Sequence, residues 1–158
     1  ETQILMGNLA SVLWSQGKEE ETLAVLSERL RVAQQDWPQG DWRVGVASVS
    51  VAEFFARLDR PAEAEPYARA SWETYAQELG PEHGWTLNAR SLLGAITAQQ
   101  GRYQEAETHL LIGYEGLLSN EGEEDPYTQS ARARLVELYE SWGYPDKAQR
   151  YRGGGGKG

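Results

Sequence analysis

Cysteine is absent from the sequence. That removes disulfides, thiolate nucleophiles and cysteine-based zinc sites together, and it leaves the redox compartment open. Also missing is any apolar run near the ~20 residues that a membrane-spanning helix needs, so membrane insertion is not expected. The opening residues, Glu1-Thr2-Gln3-Ile4, lack the basic start and apolar core of a signal peptide. They also lack an initiator Met, so the chain reads as a fragment or a processed product. Positive charge is scarce: 15 basic against 24 acidic side chains give a net charge of −9. A field of that sign repels phosphate backbones and anionic lipid heads, which argues against nucleic acid or a membrane surface as partner. Basic or neutral partners are weakly favoured. Hydrophobic residues at 40% and charged residues at 25% place the chain with globular rather than disordered sequences.

What the sequence does contain is a repeat. Gly17, Asp59, Gly101 and Gly143 stand 42 residues apart, with no insertion or deletion between copies. Five residues after each come Thr22, Ala64, Ala106 and Ala148; seven before each come Ala10, Ala52, Gly94 and Val136. Leu9, Val51, Leu93 and Leu135 precede the second set, and Leu13, Phe55, Thr97 and Tyr139 follow it by three residues. Such spacing puts apolar side chains on one helical face, with a small residue where a neighbouring helix comes close. Gly, or Asp59 in the second copy, suits the left-handed end of a helix. Pro61 and Pro145 suit the first turn of the next one, where no N–H partner is lost.

Each copy therefore reads as helix A, tight turn, helix B. The A helices are predicted at about 2–16, 43–58, 85–100 and 127–142, and the B helices at about 19–35, 61–79, 103–119 and 145–152. Breaker-rich loops lie between copies at 36–42, 79–85 and 120–127. The domain spans 1–152, in repeats of about 1–42, 43–84, 85–126 and a truncated 127–152; residues 153–158 form a glycine-rich flexible tail or linker. A single hairpin cannot bury its apolar stripe, and stacking on its neighbours does so.

This pattern resembles the tetratricopeptide repeat (TPR) family, most visibly in Gly94, the turn Gly101-Arg102-Tyr103 and Ala106. The family's usual copy has about 34 residues. This one has 42, and the extra length is about two helical turns. Long copies joined by "LGPEHGWTL" at 79–87 look like the kinesin-light-chain type of TPR, with Gly84 in place of the linker's usual proline. Residues 86–117 and 135–152 are also similar to the C-terminal TPR region of bacterial serine/threonine protein kinases. The resemblance implies an all-α, right-handed superhelical solenoid of antiparallel hairpins. Its function would be a non-catalytic scaffold binding a peptide or partner helix in its concave groove. The alternative is a structural module that self-associates through its ends. A cytoplasmic location is slightly favoured, with an extracytoplasmic one implied if the chain is attached to a membrane kinase.

No chemistry competes with that reading. Neither His83 nor His109 has a second histidine at i+4, so the zinc-protease arrangement is absent. Both read as structural, His83 capping or packing against the helix that follows it. The acidic runs at 18–21 and 121–125 sit at a turn and a loop, and the second lacks the glycine and terminal Glu of a calcium loop. At the tail, residues 151–158, Tyr151 and Gly158 stand where a phosphate-binding loop needs glycine and a hydroxyl. No catalytic residue, cofactor or metal is expected. Trp37, Trp42 and Trp85 are read as wedges between hairpins, Trp72 as packing outward or on the next copy, and Trp142 as packing at a helix end.

In the TPR family, ligand contacts come from exposed positions of the A helices. Carried over copy by copy, these are Asn8, Ser11 and Trp14; Val49, Ser50, Glu53 and Arg57; Asn88, Ser91 and Gln99; Arg134 and Glu137. Asn8 stands where the long-repeat type often has a peptide-gripping asparagine. The equivalent residues Ser50, Leu92 and Arg134 break that ladder.

Overall fold

The computed structural model describes residues 1–153, and these form eight helices and no strand. Residues 154–158 of the glycine-rich tail lie outside the described residues. In chain order the helices are α1 (Thr2–Ser15), α2 (Glu19–Asp36), α3 (Trp42–Arg57), α4 (Pro61–Glu78), α5 (Gly84–Gln99), α6 (Tyr103–Glu121), α7 (Pro126–Trp142) and α8 (Pro145–Arg152). The odd-numbered helices are the A helices and the even-numbered ones the B helices. They build an α-solenoid of four hairpins, the last shortened.

The turn within each hairpin is the same device four times over. Gly17, Asp59, Gly101 and Gly143 have φ of 72°, 53°, 77° and 86°. The left-handed residue swings the chain back so that the next N–H reaches an orphan carbonyl of the helix just ended. The N–H groups of Lys18, Arg60, Arg102 and Tyr144 donate to the carbonyls of Leu13, Phe55, Thr97 and Tyr139 at 3.0, 2.9, 3.3 and 2.7 Å. Asp59 is the only non-glycine among the described residues to hold such a φ.

The A helices begin one residue earlier than the sequence pattern indicated, at 42, 84 and 126, because a capping side chain stands just before each. Asp41 accepts the N–H of Arg43 at 2.9 Å, and His83 Nδ1 accepts the N–H of Trp85 at 3.2 Å. Asp125 accepts from Tyr127 and Thr128 at 2.9 and 3.1 Å. His83 is thus the structural cap of α5, accepting through Nδ1.

Inside each hairpin the small residues let the helices touch. A Cβ on Gly94 would stand 2.8 Å from Leu110 Cγ and 3.2 Å from the Ala106 carbonyl, so only glycine permits this approach of α5 to α6. Ala64, Ala106 and Ala148 are fully buried at the facing positions. Between hairpins, Leu26, Leu30 and Ala33 of α2 share one core with Ala47, Val51 and Phe54 of α3. Leu110, Tyr114 and Leu117 of α6 share another with Ala131, Leu135 and Leu138 of α7. Leu9 departs from its pattern. Its equivalents Val51, Leu93 and Leu135 are buried, but Leu9 is 49% exposed, because no helix among the described residues covers the outer side of α1.

Polar links recur with the same period. Glu65 on α4 accepts from Gln100 at 2.8 Å, Arg102 at 2.9 Å and Arg69 at 3.0 Å, joining the second hairpin to the third. Glu107 on α6, one period later, accepts from the Tyr139 hydroxyl at 2.8 Å and from Lys147 at 3.2 Å, joining the third to the fourth. The Arg102 guanidinium, with Gln100 and Arg69, holds the Glu65 carboxyl down at about 2. Trp72 packs on the next copy, edge-on to His109 at 5.5 Å with Arg90 at 5.3 Å from its ring. Burial, with the nearby Arg90 charge, lowers the affinity of His109 for a proton. Trp42 and Trp85 meet at 5.3 Å between hairpins, and Trp142 stacks on Tyr103 at 5.7 Å.

Candidate partner-binding groove

The A helices line one surface of the solenoid, and two clefts open along it. The first lies where α3 follows α1. Its walls carry Ser11 and Trp14 from α1 and Ser50, Glu53 and Arg57 from α3, and it encloses about 190 Å³. Phe54 forms part of the wall and holds Trp14 edge-on at 5.7 Å. The Arg57 guanidinium stands 5.9 Å from the Trp14 ring, within reach of the negative face of its π system.

One charged side chain in this cleft comes from an unexpected helix. Arg29 belongs to α2, yet it passes beside Gly7 and donates to the Ser50 hydroxyl at 2.8 Å. Ser50 in turn donates to the Val46 carbonyl at 3.2 Å. Arg29 Nε is buried without a partner, and burial weighs against the guanidinium's charge. The sequence held one sign of it: positions 29, 71 and 113 are equivalent, and they hold Arg, Ser and Gly. A long charged chain in one copy, where the others have almost no side chain, marks a local change of use.

The second cleft lies between α5 and α7, lined by Gln99, Arg134 and Glu137 with Ala95, Ala98, Leu138 and Ser141. It is smaller, at about 70 Å³. Here Arg134 and Gln99 are already bonded to groups outside the cleft lining. Arg134 is half-buried and donates to Asn88 Oδ1 and to Ser91 Oγ, each at 3.2 Å. Ser91 is fully buried and Asn88 nearly so. Gln99 donates to the Ala56 carbonyl at 3.0 Å, tying α5 to the end of α3. Asn8 is exposed and borders neither cleft, and Val49 is half-buried against the core.

The structure therefore brings Ser11, Trp14, Ser50, Glu53 and Arg57 together, and separately Gln99, Arg134 and Glu137. It turns Asn88 and Ser91 inward under Arg134, and it leaves Asn8 apart. Among the described residues, no carboxylate lies within ion-pair distance of Arg29, Arg57 or Arg134. Most surface arginines elsewhere have such partners: Arg31 pairs with Glu28, Arg43 with Asp41, Arg60 with Glu63 and Arg102 with Glu65. No three His, Asp or Glu side chains converge as a metal site among the described residues.

Comparison with known proteins agrees with this architecture. The tetratricopeptide repeat family model matches residues 43–117, the second hairpin and most of the third. Among solved structures, a kinesin light chain with nearly identical TPR-like repeats from Podosopora anserina superposes with a TM-score of 0.81 at 17% identity. That match covers 96% of this chain and 72% of the other. BtubC (BKLC) from P. vanneervenii superposes with a TM-score of 0.76 at 20% identity, over 92% of this chain. The chain spans 57% of the length of BtubC. No curated protein sequence matches it.

Proposed function

We propose that the chain, whose residues 43–117 match the tetratricopeptide repeat family model, is a non-catalytic binding module whose groove takes an acidic peptide at the Trp14–Arg57–Arg29 cleft. One observation carries this reading: two guanidiniums without carboxylate partners line one open cleft, that of Arg57 standing 5.9 Å from the Trp14 ring. Arg57, exposed and without a carboxylate partner, can grip a carboxylate with two parallel hydrogen bonds, and the half-buried charge of Arg29 adds to the preference. Trp14 offers apolar area for the residue beside that carboxylate. Glu53 on the same wall repels a second acidic group and so sets the register. The net charge of −9 opposes an acidic ligand at long range, so the preference is local and short in reach.

The test uses short random peptides displayed on phage and panned against the purified chain. The reading predicts enrichment of Asp and Glu, with binding lost in Arg57→Glu and kept in Arg150→Glu on the exposed surface of α8. Peptides without acidic residues, or equal binding to Arg57→Glu, would contradict it.

The likeness of 86–117 and 135–152 to the C-terminal TPR regions of bacterial kinases supports a further placement, as the regulatory region of a kinase-like protein. Sequencing the gene upstream of Glu1 decides that point. A kinase domain supports it, and a different domain removes it.

A further inference from the structure

The cleft between α1 and α3 holds a charge that an acidic ligand leaves unused. Glu53 lines it together with Arg57, which follows four residues later on α3. Glu followed by Arg at that spacing is the favourable order for an ion pair on a helix. Glu65 and Arg69 have the same order on α4, and they close to 3.0 Å. Glu53 and Arg57 stay open. Among the described residues, neither lies within ion-pair distance of an opposite charge. Arg57 stands instead 5.9 Å from the Trp14 ring, whose negative face attracts a cation.

The repeat shows that the fold does not call for these two charges. Counting in periods of 42, the Glu53 position holds Ser11, Ala95 and Glu137, and the Arg57 position holds Ser15, Gln99 and Ser141. Only α3 carries the acid and the base together. Two further cations are near. Arg29 lines the same cleft, and Arg134 feels the charge of Glu53 from α7. Both are tied to neutral partners, Arg29 to Ser50 and Arg134 to Asn88 and Ser91.

We propose that the ligand carries both signs: an extended peptide in which a Lys or Arg, two residues from the acid that Arg57 takes, sits on Glu53. This rests on the acidic-peptide reading of the cleft and specifies it further. The offset follows from geometry. Four residues of α3 span about 6 Å. Side chains on one face of an extended chain recur every second residue, about 6.5–7 Å apart. An acid and a base at i and i+2 therefore meet Arg57 and Glu53 together, whereas neighbours at i and i+1 point to opposite sides. The base also removes a long-range obstacle, because a ligand pair without net charge is not repelled by a chain of charge −9.

The test pans random peptides on phage in parallel against the full 158-residue chain and its Glu53→Gln variant. Gln keeps the size of Glu, and a thermal melt checks that the variant folds. The wild type should enrich Lys or Arg two positions from an enriched Asp or Glu. Glu53→Gln should keep the acidic residue and lose the basic one. Calorimetry on the most enriched peptide gives the size of the effect. Replacing its basic residue by Ala should weaken binding to the wild type about two- to fivefold, as loss of an exposed ion pair does, and leave binding to Glu53→Gln unchanged. Acidic enrichment with no basic residue at that offset, or with one that persists on Glu53→Gln, overturns this inference and leaves the acidic-peptide reading standing. Peptides without acidic enrichment overturn both.

Discussion

The first hairpin and the third share one repeat pattern and differ in what surrounds them. α5 buries ten of its 16 residues; α1 buries only Ala10 and Leu13 of its 14. In the third hairpin the A-helix polar groups are spent on internal bonds: Asn88 and Ser91 hold Arg134, and Thr97 donates to the Leu93 carbonyl at 2.7 Å. In the first, Trp14 faces an open cleft and Arg29 reaches it from the neighbouring B helix. The same periodic sequence therefore makes a closely packed hairpin around α5 and, among the described residues, a more open one around α1. Function should concentrate where burial is incomplete.

That contrast can be broken most severely at equivalent leucines. Leu93→Ala should cost about 2–5 kcal/mol of stability by opening a cavity in a closed core. Leu9→Ala, at the same position of the first hairpin, should cost about 0.5 kcal/mol or less, as surface substitutions do. Urea unfolding of the two variants measures both, and equal losses would erase the distinction between the hairpins. Next in size is the groove. Arg57→Glu should weaken an acidic panned peptide at least tenfold, about 1.4 kcal/mol. Arg134→Gln should act mainly on stability, because Arg134 already binds Asn88 and Ser91. Isothermal titration alongside thermal melts separates the two effects.

Smaller still are the effects of pH. The carboxyl of Glu65 titrates near 2 in the folded chain, below its ordinary value of 4.5. The unfolded chain thus takes up that proton first on acidification. The stability from Glu65 is complete above about 4.5 and drains away as pH falls towards 2, and Glu65→Gln should flatten that part of the curve. His109 gives the smallest and earliest step. Burial and Arg90 lower its proton affinity from the ordinary 6.5, so the unfolded chain again binds the proton more readily. Stability attributable to His109 is whole above about 6.5 and declines as pH drops below it. His109→Phe should remove that decline while leaving the one below 4.5.

The hairpin frame was legible because its determinants are local and repeated. A small residue, a left-handed turn and a second small residue act over a few positions, and four copies in register reinforce one another. The B helices accordingly begin at 19, 61, 103 and 145, where the period set them. The starts of the A helices were read one residue late because Asp41, His83 and Asp125 act as caps through side-chain geometry that a linker pattern does not display. The exposure of Leu9 was illegible for a deeper reason. Leu9 looks like its buried counterparts, and exposure is set by the neighbour rather than by the residue. In the groove, period counting located the α1 and α3 positions that share a cleft. It could not show that Asn88 and Ser91 turn inward, nor that Arg29 enters from a B helix. Those are contacts between copies, and each copy makes them differently.

Hydrogen exchange on the chain with and without a panned acidic peptide tests the central claim most directly. The account predicts slowed exchange confined to the α1 and α3 segments around Trp14, Ser50 and Arg57, with α5 and α7 unchanged. Protection centred on α5 and α7, or spread over the outer B helices, would contradict it.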